Sequence, residues 1–158
     1  YEYVRNGTCN VFVASEPLRG WRMTEVRETK TAKDWALFTE QVIAAYPNAE
    51  KIILVQDNLN THKAASWYAN FSPEKARALM DKVEFVYTPK HGSWLNVAEI
   101  ELNVLSGQCL KRRIGDIETM RREVAAWEAY RNGRDSKVDW QFSVDDARIK
   151  LKRIYPAF

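Results

Sequence analysis

Residues 52–62 read IILVQDNLNTH. The run Ile52-Ile53-Leu54-Val55 is apolar and mostly β-branched, which predicts a short, fully buried strand. Asp57 then stands at the carboxyl end of that strand, where open α/β sheets place their ligand sites. Asn58, Asn60 and His62 follow it closely. A carboxylate among small polar residues is a good ligand for a hard cation. The same residues carry a plainer reading: Asp57-Asn58 opens a turn, since both types favour turns.

A second segment, 83–101, reads VEFVYTPKHGSWLNVAEIE. Its first part, 83–87, is another buried strand candidate, stopped by Thr88-Pro89. A loop with Lys90, His91, Gly92 and Ser93 follows, and a helix begins near Asn96, with Glu99 in its first turn. The chain therefore holds two strand-loop units, each with a carboxylate beyond its strand, and a helical stretch and a strand lie between them. This layout can bring Asp57 and Glu99 to one sheet edge. Two carboxylates there repel one another unless a positive charge, usually a divalent cation, sits between them.

Outward from these segments the chain keeps an α/β order. Residues 9–14 (CNVFVA) and 21–29 (WRMTEVRET) read as strands, with Glu16-Pro17-Leu18-Arg19-Gly20 as a hairpin turn. A helix is predicted near 31–46: Thr31 and Asp34 approximate a capping box, and Trp35, Phe38, Val42 and Tyr46 keep helical spacing. Pro47-Asn48 ends it. Ser72-Pro73 starts a short helix, Asp116 caps a longer one that stops before Gly133, and Ser143 with Asp146 starts a last one. Asn132 to Lys137 is the most loop-like stretch. Hairpin, helix, strand, helix, strand and helices predict one mixed sheet covered by helices.

Composition sets bounds on function. With 158 residues, one domain with a sizeable core is expected, and six Trp with six Phe supply that core. No apolar run approaches the roughly 20 residues that span a bilayer. Cys9 and Cys109 match no zinc spacing and read as reduced, buried thiols. The net charge of +3 says little about nucleic acid, but its distribution says more. Lys111, Arg112 and Arg113 run together at the end of the Glu99 helix, and Arg121 and Arg122 follow. Arg148, Lys150, Lys152 and Arg153 crowd the carboxyl end. Such runs can neutralise phosphates; they also suit helix C-termini and solvated faces.

LVQDNLNTH followed by YTPKHGSWLNVAEIE resembles the catalytic domain of transposases of the insertion-sequence-630 group, in the mariner superfamily. The resemblance continues through LSGQCLKRRI and EVAAWEAYRN to DWQFSVDDARIKLKRIYP, and is densest over 52–114. It implies an RNase H-like fold and an acidic triad, Asp, Asp and Asp or Glu, holding two magnesium ions, with manganese able to substitute. Motif by motif, Asp57 matches the second acid and Glu99, in Leu-Asn-x-x-Glu, the third. The family's first acid lies on a central first strand, upstream of the segment matching Tyr1. None of Glu2, Glu16 and Glu25 ends an apolar run, so the role passes to none of them. The expectation is a single domain over 1–158 without that strand or the upstream recognition domain: a fragment, a decayed gene product, or a chain completed by another.

The implied chemistry is in-line attack at a phosphodiester, hydrolysis at transposon ends and then strand transfer. Two metal ions about 3.5–4 Å apart align the attacking oxygen and stabilise the leaving one. The implied partners are DNA, as terminal inverted repeats and target, and further copies of the chain, since two DNA ends must meet. The implied setting is the bacterial cytoplasm, at the nucleoid when DNA is bound. Asn58, Lys90, His91, Lys111, Arg112 and Arg113 are candidate substrate contacts. His62 is a contact or tuner of the metal site, or else a polar cap of the following helix. Trp94 stacks on a base or packs its loop down.

Glu101 competes with Glu99. On a helical wheel Val97, Ile100, Val104 and Leu105 mark the apolar side, Glu101 falls among them, and Glu99 points away. Two other functions also fit: an inactive remnant that only binds DNA or a partner, and a nuclease of the same fold acting on RNA hybrids.

Overall fold

A computed structural model describes residues 6–89 and 96–152. The elements in chain order are β1 (Asn10–Glu16), β2 (Trp21–Arg27), α1 (Ala32–Ala44), β3 (Ile52–Gln56), α2 (Ala64–Asn70), α3 (Pro73–Lys82), β4 (Val83–Tyr87), α4 (Val97–Gln108), α5 (Ile117–Asn132) and α6 (Val144–Leu151). Local chemistry sets most boundaries. Thr31 and Asp34 form the expected capping box of α1, and Ser143 and Asp146 form that of α6. Ser72, Asn96 and Asp116 cap α3, α4 and α5 through their side chains. The stretch expected to be most loop-like begins inside α5, which runs through Asn132.

The single mixed sheet is not what forms among the described residues. β1 and β2 make an antiparallel pair, β3 and β4 a parallel pair, and no hydrogen-bonded ladder joins the two. They share a core instead. Trp35, Ala36 and Ile43 of α1, Trp67, Ala76 and Val83 form one buried cluster, against which Phe12 of β1 and Ile52, Leu54 and Phe85 of β3 and β4 pack. A second cluster, Val26, Leu105, Val124 and Trp127, lies where α4 and α5 meet the hairpin, with Cys9 and Val11 packed on it. Phe12 thus faces one cluster and Val11 the other, as strand alternation requires.

The hairpin is also sealed along the outer edge of β2. The Asn132 side chain accepts from the Arg22 N–H (2.9 Å) and donates to the Arg22 carbonyl (2.8 Å). Glu128 accepts from the N–H and hydroxyl of Thr24 at 2.5 and 2.6 Å. α5 therefore satisfies backbone groups that a further strand would otherwise pair. At the turn, Gly20 has φ 74°, and a Cβ there would meet the Asp135 carbonyl carbon at 2.6 Å, so only glycine fits beneath that loop.

β3 departs from expectation. Ile52 and Leu54 point into the core, but Ile53 is 63% and Val55 50% exposed, so one face of the strand is open. β4, expected to be buried, departs in the same way: Val83 is buried, but Val86 shares that open face and Tyr87 is exposed too. An unbroken apolar run does not reveal which parity is inward, because both faces carry the same chemistry. The cysteines are free and half-buried rather than fully buried, and burial pushes the Cys109 thiol pKa up.

Candidate active site

Asp57 follows β3 directly, as its apolar run dictates, and its side chain is 45% exposed. One carboxylate oxygen lies 2.5 Å from Nδ1 of His62. His62 is fixed from several sides. Its ring stacks on Trp35, with centroids 5.8 Å apart and planes 22° from parallel. Its N–H donates to the Leu59 carbonyl at 2.9 Å. Its carbonyl accepts from the side chain of Gln56 (2.9 Å) and the hydroxyl of Tyr87 (3.2 Å). Gln56 is buried because it shares the inward parity of Ile52 and Leu54. The turn and the candidate ligand are therefore the same structure: the chain reverses after Asp57, and the reversal brings His62 back onto it.

The capping role open to His62 is overturned, since the N-cap of α2 is Lys63, with no side-chain cap bond. The ring is taken up by Asp57 and Trp35 instead. Asn58 is exposed beside the pair. The signal for Trp35 lay in helical spacing, which did not say that it would hold His62; Gln56 carried no signal, because the apolar run before it does not reveal which parity is inward.

Glu99 lies half-buried in the first turn of α4, where the N-terminal end of the helix favours negative charge. Its N–H donates to the Asn96 carbonyl at 3.0 Å. Glu101 is 1% exposed and has both oxygens engaged: Oε2 lies 2.9 Å from Nε of Arg22, and Oε1 accepts from Nη2 of Arg131 at 3.0 Å. The Arg22 contact is an ion pair rather than an aligned hydrogen bond. Burial lowers the Arg22 pKa, with Glu101 opposing it. Both Glu101 oxygens thus lie against guanidiniums in this structure.

Other candidates scatter. Lys90, His91 and Trp94 lie outside the described residues. Lys111, Arg112 and Arg113 are exposed just past α4, and Arg112 pairs with Glu123 at 2.5 Å. Lys111 and Arg112 border an open groove of about 690 Å³ with Gln108, Trp127 and Tyr130. Arg121 pairs with Glu118 and Arg148 with Asp145 on their own helices, as on solvated faces. Among the described residues, no three His, Cys, Asp or Glu side chains gather as a metal site. No described helix is long and apolar enough to cross a membrane.

Residues 1–121, which span the hairpin, both strand-loop units and α4, match the sequence pattern of the DDE superfamily endonucleases. The chain belongs to the DDE superfamily of endonucleases. No curated protein and no solved structure matches it. Membership makes this a nuclease-type domain, implies a DNA substrate, and places it among enzymes that generally use divalent metals. The donor chemistry of this DDE domain fits such an ion at Asp57. One of its oxygens is held by His62, and the other has no protein partner among the described residues. A hard cation takes such an oxygen readily.

Proposed function

We propose that the chain is the catalytic domain of an insertion-sequence-630 type DNA transposase of the mariner superfamily, acting in the bacterial cytoplasm on nucleoid DNA. It cleaves phosphodiesters at transposon ends and joins them to target DNA. The observation that carries this reading is the Asp57–His62 pair at the carboxyl end of β3, within a DDE-superfamily chain. Asp57 and Glu99 would hold magnesium or manganese. A bound metal pair supplies alignment of the attacking oxygen and stabilisation of the leaving one. The protein's own part is orientation. Trp35 seats the imidazole, the imidazole holds one Asp57 oxygen, and the other oxygen is left outward. Lys111, Arg112 and Arg113 lie exposed where they can follow a DNA backbone, and several copies would pair two DNA ends.

An RNase H-like arrangement adds a strand bearing the first acid. Its place is supported by the edges of β1 and β3 that no described strand pairs, whose Phe12, Ile52 and Leu54 already share one cluster. The test is nicking of supercoiled plasmid carrying the element's ends, with Mg²⁺ or Mn²⁺, by the product of the whole reading frame. Nicking should vanish in Asp57→Asn and in Glu99→Gln, and His62→Ala should lose about 10- to 100-fold. Full activity in Asp57→Asn would sink the reading, and cleavage of RNA hybrids alone would move the activity to RNA.

A second reading rests on the exposed basic side chains of Lys111, Arg112 and Arg113, which can bind a phosphate backbone without any metal chemistry. The chain would then be an inactive remnant that binds DNA or a partner. Salt-sensitive DNA binding without metal-dependent nicking would favour it.

A further inference from the structure

We infer that Glu101 is a positioning residue: clamped between Arg22 and Arg131, it sets the rotation of α4 about its own axis and so decides where Glu99 points. The inference rests on the proposed role of Glu99 as a ligand. Successive helical residues turn by about 100°, so Glu99 and Glu101 lie about 200° apart and cannot face the same way. Val104 and Leu105 hold α4 to the hairpin and α5 by apolar packing, which is non-directional and lets a helix roll. Directional contacts come from Glu101 and, two turns on, from Gln108, whose side chain accepts from the Trp127 indole at 2.9 Å. Of the two, Glu101 is nearer to Glu99 and fully buried.

The clamp is anchored to rigid parts. Arg22 also donates to Asn132 (3.2 Å) and to the Ser136 carbonyl (2.6 Å). β2, α5 and the loop after α5 therefore meet on one guanidinium, and α4 joins them through Glu101. Buried ionic groups of this kind are poor sources of net stability, and their best attested use is to fix one register among several.

The test separates orientation from stability. Spin labels at Glu84→Cys, exposed on β4, and Asn103→Cys, exposed on α4, report the setting of α4 by pulsed electron resonance, with Cys9 and Cys109 changed to Ala. The triple variant Arg22→Met, Glu101→Leu, Arg131→Met replaces the clamp by apolar groups, which keeps such cores folded. Its distance distribution should shift or broaden by about 5 Å, half a helix diameter, while circular dichroism stays native. Mn²⁺ titrated into the same folded variant, followed by the signal of the free ion, should bind about 10- to 100-fold more weakly. If the triple variant does not fold, Glu101→Gln is measured in the same two ways. A folded variant with the native distance distribution overturns the inference. So does a displaced α4 with unchanged Mn²⁺ binding, provided Glu99→Gln weakens that binding. If Glu99→Gln has no effect on Mn²⁺ either, the ligand role of Glu99 fails, while a displaced α4 still upholds Glu101 as the element that sets the helix.

Discussion

The two strand pairs are built in opposite ways. The β1–β2 hairpin has α1 on one face and α4 with α5 on the other, and its outer edge is closed by Asn132 and Glu128. The β3–β4 pair is covered on one face only, leaving Ile53, Val55 and Val86 outward. Parallel strands usually have both faces covered, so the β3–β4 pair is the less finished half. Asp57 projects from that half, whereas Glu99 rides on a helix fastened to the hairpin. The candidate site is thus split between a clamped region and an open one, and its geometry depends on how firmly the clamp holds.

The most damaging change should be Glu101→Ala, which leaves the buried Arg22 and the partly buried Arg131 guanidiniums without their shared carboxylate. A loss of about 3–5 kcal/mol is expected in urea unfolding. A loss under about 1 kcal/mol would mean that the hairpin side is no more tightly held than a surface ion pair.

Asp34 comes next, because it ties α1 to β2 through Arg27 and to the linker through Thr29 and Thr31. Burial works against its ionisation, but the hydrogen bonds from Thr29, Thr31 and Arg27 prevail and hold its carboxyl well below the ordinary value of 3.8. A depressed folded-state pKa stabilises above the unfolded value and is lost as pH falls through the folded one. Asp34→Asn should therefore cost about 1–2 kcal/mol at neutral pH, with the gap to the parent chain closing only in strongly acid solution. A gap that is the same at every pH would show that the charge of Asp34 contributes nothing.

The smallest effect sharpens the contrast directly. Val11→Thr, on the face packed by the second cluster, should cost about 1 kcal/mol, and Val55→Thr less than about 0.5 kcal/mol. Equal losses in thermal unfolding would mean that the β3–β4 face is covered in solution.

Much of this architecture was legible beforehand. The strand at 83–87, the hairpin turn, both capping boxes and the Ser72, Asn96 and Asp116 caps follow from residue types at short spacing, and the structure has them all. These are local interactions, decided within one turn of chain. Asp57 at a strand end was legible for the same reason. The inward parity of β3 was not, because four apolar residues in a row carry no alternation to read.

By itself, then, the sequence determined the order of elements, their caps, the motif pair around Asp57 and Glu99, and through that pair the resemblance to a family of metal-dependent nucleases. Only the tertiary structure decided that His62 turns back onto Asp57, that Arg22 and Arg131 are the partners of the inward Glu101, and that one face of β3 stays open. The physical reason is range. Caps and turns are settled by neighbours along the chain. The partners of a buried charge, such as Arg22 and Arg131 around Glu101, come from distant segments, and only packing those segments together brings them within reach.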